Sequence, residues 1–126
     1  RSMYRFLHMH LLAGLPQHTI RTRTPWADGP QEFTGPRLAD VVSLASSGAP
    51  YGTLRVTALN DYVTTIPATD LQQYGVVLAM RIDGQRIPVR RKGPLFVMYP
   101  FDAKPELRDS RFYARAIWQV HRIDVR

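Results

Sequence analysis

A tryptophan in a loop and a polar turn are the residues best suited to hold a flat heterocycle. Trp26 lies in residues 25–30, a Pro- and Gly-rich loop where no core periodicity requires a large ring. Two roles fit Trp26: stacking on a ligand or partner, or anchoring the loop by packing. Asn60, Asp61 and Tyr62 follow one another, and Asp61 has a carboxylate that accepts hydrogen bonds from ring N–H groups. Asn60 and Asp61 also suit a plain turn held by side-chain bonds to the backbone.

Several cations stand where an anion or a carbonyl group would be recognised. Arg23 follows Arg21 by two residues, so both share one face of a predicted strand. Arg23 is a candidate for binding a carbonyl or an anion, and a solvated sheet edge explains it equally well. The run Arg90, Arg91 and Lys92 precedes a Gly-Pro pair whose backbone would allow close approach of a ligand. Such a run also suits a solvated surface.

Tyr99 ends a predicted strand just before a proline, so its hydroxyl either points into a pocket or is satisfied inside the protein. Trp118 opens the last predicted strand and is expected in the core. The four histidines do not have the spacing of a metal site, and no Ser–His–Asp arrangement is evident. The sequence therefore favours binding over hydrolytic or metal-dependent catalysis.

Composition restricts the classes of protein further. The 126 residues are expected to form one domain, residues 1–126. The absence of cysteine excludes disulfides, thiolate metal sites and cysteine nucleophiles. No apolar run approaches the roughly 18 residues needed to cross a bilayer, so no membrane insertion is expected. The net charge of +7, carried almost wholly by arginine, suits an anionic partner or a solvated basic surface. No nucleic-acid-binding signature appears, and no nucleic-acid partner is expected.

Hairpins without regular βα alternation predict an α+β fold with a mixed β-sheet and a few short helices. Helices are predicted over residues 3–13, 36–46 and 67–74, the last ended by Gly75. Strands are predicted over residues 19–24, 53–59, 62–66, 76–82, 85–89, 95–99 and 117–125, with a hairpin turn at Asp83-Gly84. Residues 100–111 are predicted to be irregular, with a helical turn from Pro105.

The order of several short motifs resembles the molybdopterin-binding domain of the sulfite oxidase family. The motifs lie at residues 33–38, 60–62, 78–79, 83–84, 87–88, 93–100, 117–118 and 123–125. This resemblance implies a sulfite oxidase molybdopterin-domain-like fold.

Departures from that family concern the residues that hold its metal cofactor. Matching Trp26 to the tryptophan after the family's metal-binding cysteine places Thr22 at the cysteine position. A threonine hydroxyl has too high a pKa to bind a soft metal as a thiolate does. Phe96 and Ile117 replace two cations of the family. The molybdenum cofactor is therefore not expected, nor is oxygen-transfer chemistry.

The chain is similar in more detail to short, cysteine-free bacterial members of that fold. The shared segments are residues 15–17, 24–26, 59–62, 92–95 and 118–119. This resemblance implies a non-catalytic, periplasmic protein, its signal peptide removed, that binds a reduced pterin and regulates a membrane diguanylate cyclase. Two alternatives stay open: a molybdopterin-dependent oxidoreductase that holds its cofactor without a cysteine, and an interaction module with no small ligand.

Overall fold

The chain forms an α+β structure of antiparallel sheets and short helices. The computed structural model describes the backbone of residues 2–4 and all of residues 9–126 except the side chain of Ala45. The strands in this part are β1 (Ser2–Tyr4), β2 (Gln17–Thr22), β3 (Gln31–Pro36), β4 (Thr53–Ala58), β5 (Val63–Pro67), β6 (Val77–Ala79), β7 (Arg81–Ile82), β8 (Gln85–Arg86), β9 (Phe96–Met98) and β10 (Val120–Val125). The helices are α1 (Met9–Ala13), α2 (Leu38–Ser46), α3 (Ala68–Tyr74) and α4 (Ser110–Arg115), with 3-10 turns at Val89–Arg91 and Pro105–Leu107.

Three sheets account for the described strands. One has the order β1-β10-β4-β5, the second has the order β2-β3-β7-β8, and the third pairs β6 with β9. Every pair is antiparallel, as hairpins and returning loops require. The largest fully buried side chains include Phe33, Leu54, Leu78, Tyr99 and Phe101. The predicted α+β class is confirmed, whereas the predicted mixed β-sheet is wrong for the described strands, which form three sheets of antiparallel pairs.

The predicted strand over residues 76–82 is divided into two short strands that belong to different sheets. Its first part, β6, is fully buried and pairs with β9. The amide of Met80 then donates to the carbonyl of Thr34 at 2.8 Å, and β7 continues beside β3. The predicted turn at Asp83-Gly84 is confirmed, because Ile82 faces Gln85 across it.

Other predicted elements differ mainly at their ends. The helix over residues 67–74 is confirmed as α3, and Gly75 ends it with a left-handed φ of 60°. The strands over residues 53–59, 62–66 and 95–99 are confirmed as β4, β5 and β9. The last strand begins at Val120, later than predicted.

The N-terminal helix prediction is right in one part and wrong in another. α1 confirms it over residues 9–13, whereas residues 2–4 form β1. Ser2 lies opposite Asp124 in β10, at the far end of the chain. Helical spacing reports only local preference, and this distant pairing overrides it. Residues 5–8 of the predicted helix lie outside the described residues.

Strand β3 was not predicted, and the helix predicted from residue 36 begins two residues later. Pro36 ends β3, opposite Gln17 of β2. Gly35 and Pro36 are poor strand residues, which hides the strand in the sequence. A Cβ on Gly35 would overlap the carbonyl oxygen of Leu78. Glycine therefore allows β3 to pack closely on β6.

Replacing Gly35 with alanine is expected to lower the free energy of unfolding by about 1–3 kcal/mol, since the neighbouring atoms are backbone and cannot rotate away. Urea unfolding measures the change. Gly29→Ala is the matched control, because no atom lies within 4 Å of its added Cβ. Equal effects at the two positions would contradict the close-packing explanation.

Candidate ligand-binding site

A cavity of about 400 Å³ opens beside α4 and the loop that carries Trp26. Its volume lies in the range of small-molecule sites. Its walls come from the end of β4, the turn after it, α4 and the segment that leads to β10. The lining residues are Trp26, Ala58, Asn60, Tyr62, Tyr113, Ala114, Ala116, Ile117 and Trp118. Four of these nine side chains are aromatic, so the cavity suits a flat ring.

Trp26 belongs to a cluster of rings. Its ring centroid lies 5.2 Å from that of Trp118, 6.0 Å from Phe96 and 6.1 Å from Tyr113. These contacts hold the loop at residues 25–30 against the body of the protein. Trp26 is thus a packing anchor, and its ring also lines the cavity. Its role in stacking on a ligand stays a prediction.

The turn at residues 60–62 contributes two of its three side chains to the cavity. The side-chain oxygen of Asn60 accepts a hydrogen bond from the amide of Tyr62 at 3.1 Å. Asp61 adopts a left-handed φ of 69° and its amide donates to Ala58 at 3.0 Å. The predicted turn is therefore confirmed. Asn60 and Tyr62 line the cavity, whereas Asp61 is exposed and outside the lining.

A second, cationic groove also has Trp26 in its lining. Its volume is about 290 Å³. Three cations, Arg86, Arg91 and Lys92, stand in its wall together with polar groups of Thr24, Gln31 and Gln85. The groove and the cavity share Trp26, so we treat them as two halves of one site.

Lys92 joins the two halves. Its ammonium nitrogen lies 5.2 Å from the centroid of the Trp118 ring, within reach of a cation–π interaction. The Lys92 carbonyl accepts a hydrogen bond from the amide of Gln119 at 3.0 Å, and the Gln119 side chain donates to the Val89 carbonyl at 2.7 Å. These bonds fix the basic turn beside Trp118. Arg90, the neighbouring cation, is exposed and lines neither half.

The glycine after the basic run packs against the chain itself. A Cβ on Gly93 would overlap the carbonyl oxygen of Ile87, and the Gly93 amide donates to the Pro88 carbonyl at 2.8 Å. The close backbone approach predicted here for a ligand is thus occupied by another backbone segment.

Of the two roles expected for Tyr99, the structure shows the hydroxyl satisfied inside the protein, and the side chain lines neither half of the site. The side chain is fully buried, and its hydroxyl donates to the Asp70 carboxylate at 2.8 Å. The guanidinium of Arg115 in α4 binds the same carboxylate oxygen at 2.8 Å. Burial, reinforced by the bond to Asp70 and by its charge, raises the pKa of Tyr99 far above the usual phenol range. Tyr99 is a structural group that helps hold α4, which forms one wall of the cavity.

Replacing Tyr99 with phenylalanine is expected to reduce the loss of stability at alkaline pH. The pKa of Tyr99 is raised in the folded state, so its stabilisation is complete below about pH 10 and falls as the pH rises above it. The expected slope is up to about 1.4 kcal/mol per pH unit for one group. Urea unfolding from about pH 8 to about pH 11 measures it. Tyr62→Phe, which removes an exposed hydroxyl, is the control; identical pH profiles for wild type and Tyr99→Phe would contradict this result.

Arg23 does not line either half of the site. Its amide donates to the Asp102 carboxylate at 3.1 Å. The preceding Thr22 is fully buried; its hydroxyl donates to the Arg23 carbonyl at 3.0 Å and accepts from the Asp102 amide at 3.0 Å. Thr22 holds two loops together, so the position matched to a metal-binding cysteine does not fit a metal.

Sequence reasoning missed the contributions of α4 and of Arg86. Tyr113, Ala114 and Arg86 were not singled out as site residues, whereas Arg91 was considered together with Arg90 and Lys92 as one basic run. One signal for α4 was present, because Asp109 caps the helix by accepting from the Arg111 amide at 2.8 Å. Nothing in the spacing of Arg86 shows that it shares a groove with Arg91.

No protein family and no curated protein matches the chain. Across residues 2–4 and 9–126, no helix is long and apolar enough to cross a bilayer. In the same residues, no group of three or more histidine, aspartate or glutamate side chains is placed to hold a metal ion.

Proposed function

We propose that this protein binds a reduced pterin without performing chemistry on it. The observation that carries the proposal is the aromatic-walled cavity, with Trp26, Tyr62, Tyr113 and Trp118 as its rings. A pterin is flat, so it gains from ring contacts that an irregular ligand would not make. The apolar lining also excludes water from the ring faces.

Recognition of the pterin edge is assigned to the polar groups at the cavity rim. The ring carries N–H donors and a carbonyl acceptor, and a side-chain amide satisfies both kinds of group. Asn60 is our candidate for this role, because it lines the cavity and its side-chain oxygen accepts a hydrogen bond from the Tyr62 amide. Asp61, the acceptor expected from sequence, lies next to it and is open to solvent.

The regulatory part of the proposal rests on the motif resemblance. The proposed fold is that of the sulfite oxidase molybdopterin domain, and the proposed setting is the periplasm. The proposed partner is the periplasmic domain of a membrane diguanylate cyclase. The Thr22 hydroxyl is buried and makes two hydrogen bonds within the protein, which favours a ligand that contains no molybdenum. A pull-down with the partner domain, with and without pterin, tests the coupling.

The deciding experiment is analysis of small molecules released from protein purified without oxygen. Mass spectrometry and fluorescence should find a pterin near one equivalent, and metal analysis should find only traces of molybdenum. Stoichiometric molybdenum would support the oxidoreductase alternative. Absence of a pterin, together with no binding of added tetrahydropterins, would overturn the proposal.

A further inference from the structure

The cationic groove points to a second, anionic part of the ligand. We infer that Arg86, Arg91 and Lys92 form an anion subsite that holds a phosphate or carboxylate tail attached to the ring. This inference rests on the proposed ring binding for the attachment, while the anion subsite itself rests on the groove. The ring would occupy the cavity and the tail would reach into the groove, since Trp26 lines both.

The positive charge of the groove is not balanced by a carboxylate in its described lining. Three cations line the groove, and its lining among the described residues includes no carboxylate. The ion pairs of the described chain join other residues, namely Arg21–Glu32, Arg111–Asp109, Arg115–Asp70 and Arg122–Asp124. Positive charges gathered in one groove repel each other and make its electrostatic potential more positive. A bound anion would relieve the repulsion and be attracted by the potential.

The hydrogen-bond donors of the groove suit an oxyanion. Arg86 and Arg91 each present a planar guanidinium, which matches two oxygens of a phosphate or a carboxylate. Lys92 adds a compact charge beside Trp118. Neutral polar groups from Thr24 and Gln85 complete the wall. Such a mixture of charged and neutral polar groups suits an oxyanion with several acceptor atoms.

The cationic groove lies next to the aromatic cavity, because Trp26 lines both. The cations come from two neighbouring segments, the β7–β8 hairpin and the turn at Val89–Arg91 with the residue that follows it. Hydrogen bonds from Gln119 hold that turn to the Trp118 segment. Trp26 lines both halves. A ring and a short anionic tail on one molecule can therefore contact both halves together.

The first arm of the test uses an anion alone. Inorganic pyrophosphate is titrated into the full chain, and tryptophan fluorescence reports binding because Trp26 lines the groove. Saturable binding is expected in the wild type, weakened at least about tenfold in Arg86→Gln/Arg91→Gln because charge-assisted hydrogen bonds are lost. Arg90→Gln is the matched control, since Arg90 lies outside the groove. No saturable binding, or equal binding by the double variant, would overturn the subsite.

The second arm attaches the anion to a ring and separates the two sources of negative charge. Dihydroneopterin is compared with its monophosphate, and dihydrofolate with its dimethyl ester, all without oxygen. The charged member of at least one pair is expected to bind about tenfold more tightly to the wild type, and the double variant is expected to lose this advantage. The pair that shows the advantage identifies phosphate or carboxylate as the tail.

The two arms distinguish the subsite from the proposed function. Pyrophosphate binding, without any binding of the four ring compounds or of tetrahydropterins, would reject pterin binding and retain the anion subsite without the attached ring. Dihydroneopterin could bind tightly while neither its phosphate nor the folate carboxylates increase affinity. That result would reject the attached tail and retain pterin binding. Raised salt should weaken only the charged ligands, because it screens exposed charges.

Discussion

Replacing Asp70 with alanine is expected to lower the free energy of unfolding by about 3–5 kcal/mol, the usual cost of removing one partner from a buried ion pair. The carboxylate is buried and holds both the Tyr99 hydroxyl and the Arg115 guanidinium at 2.8 Å. Its removal leaves a buried hydroxyl and a mostly buried cation without their acceptor. Urea unfolding at neutral pH measures the change.

Two variants sharpen the Asp70 experiment. Asp70→Asn keeps an oxygen that accepts from Tyr99 and loses the charge that pairs with Arg115, so an intermediate loss is expected. Glu32→Ala is the control, because it removes an exposed ion pair in which the Glu32 carboxylate lies 3.9 Å from the Arg21 guanidinium. It should change the free energy of unfolding by less than about 1 kcal/mol. If Asp70→Ala lowers the free energy of unfolding no more than Glu32→Ala does, the buried pair does not stabilise the fold.

The Asp70 pair also bears on ligand binding. Arg115 lies in α4, whose residues Tyr113 and Ala114 line the cavity. The ion pair joins α4 to α3, and the bond from the Tyr62 hydroxyl to the Ala114 carbonyl, at 3.4 Å, joins the helix to the turn. Weakening the buried pair should therefore loosen one wall of the cavity and reduce affinity for a flat ligand.

Replacing Trp26 with alanine is expected to weaken pterin binding by about 10- to 100-fold, since stacking of a flat base on one aromatic ring contributes about 1–3 kcal/mol. The substitution also removes contacts with three other rings. A loss of stability of up to about 3 kcal/mol is expected beside the loss of affinity. Anaerobic calorimetry or fluorescence titration gives the affinity, and urea unfolding gives the stability.

The controls for Trp26 separate stacking from packing. Trp26→Phe keeps a ring in the cluster and should retain most of the affinity. Tyr74→Ala removes a half-buried ring that contacts Tyr99 and Phe112 and does not line the cavity. Its stability should fall while pterin affinity stays near the wild-type value. Equal losses of affinity in Tyr74→Ala and Trp26→Ala would show that destabilisation alone explains the effect.

Much of the secondary structure could be predicted from the conformational preferences of single residues. The hairpin at Asp83-Gly84 and the end of α3 at Gly75 depend on residues that accept a left-handed φ, so both follow from the residue types. The turn at Asn60 and Asp61 follows for the same reason, with the Asn60 side chain bonded to the backbone. The loop position of Trp26 also followed from the prolines and glycine around it.

Pairing between distant segments decided what the sequence did not show. Only the tertiary structure puts β1 beside β10, allows Gly35 to lie against Leu78, and turns Tyr99 toward Asp70 rather than toward the cavity. These contacts depend on which segments meet, and residue spacing carries no record of that.

The sequence by itself determined an α+β chain without thiolate chemistry, with a loop tryptophan, a polar turn and an excess of arginine. The tertiary structure decided which of these meet. It placed Asn60 and Tyr62 with Trp26 in one cavity and left Asp61 and Arg90 outside. It also placed Arg86, Arg91 and Lys92 together in a groove that Trp26 lines. The physical reason is that a binding site is made of side chains far apart in sequence, and long-range strand pairing sets their positions.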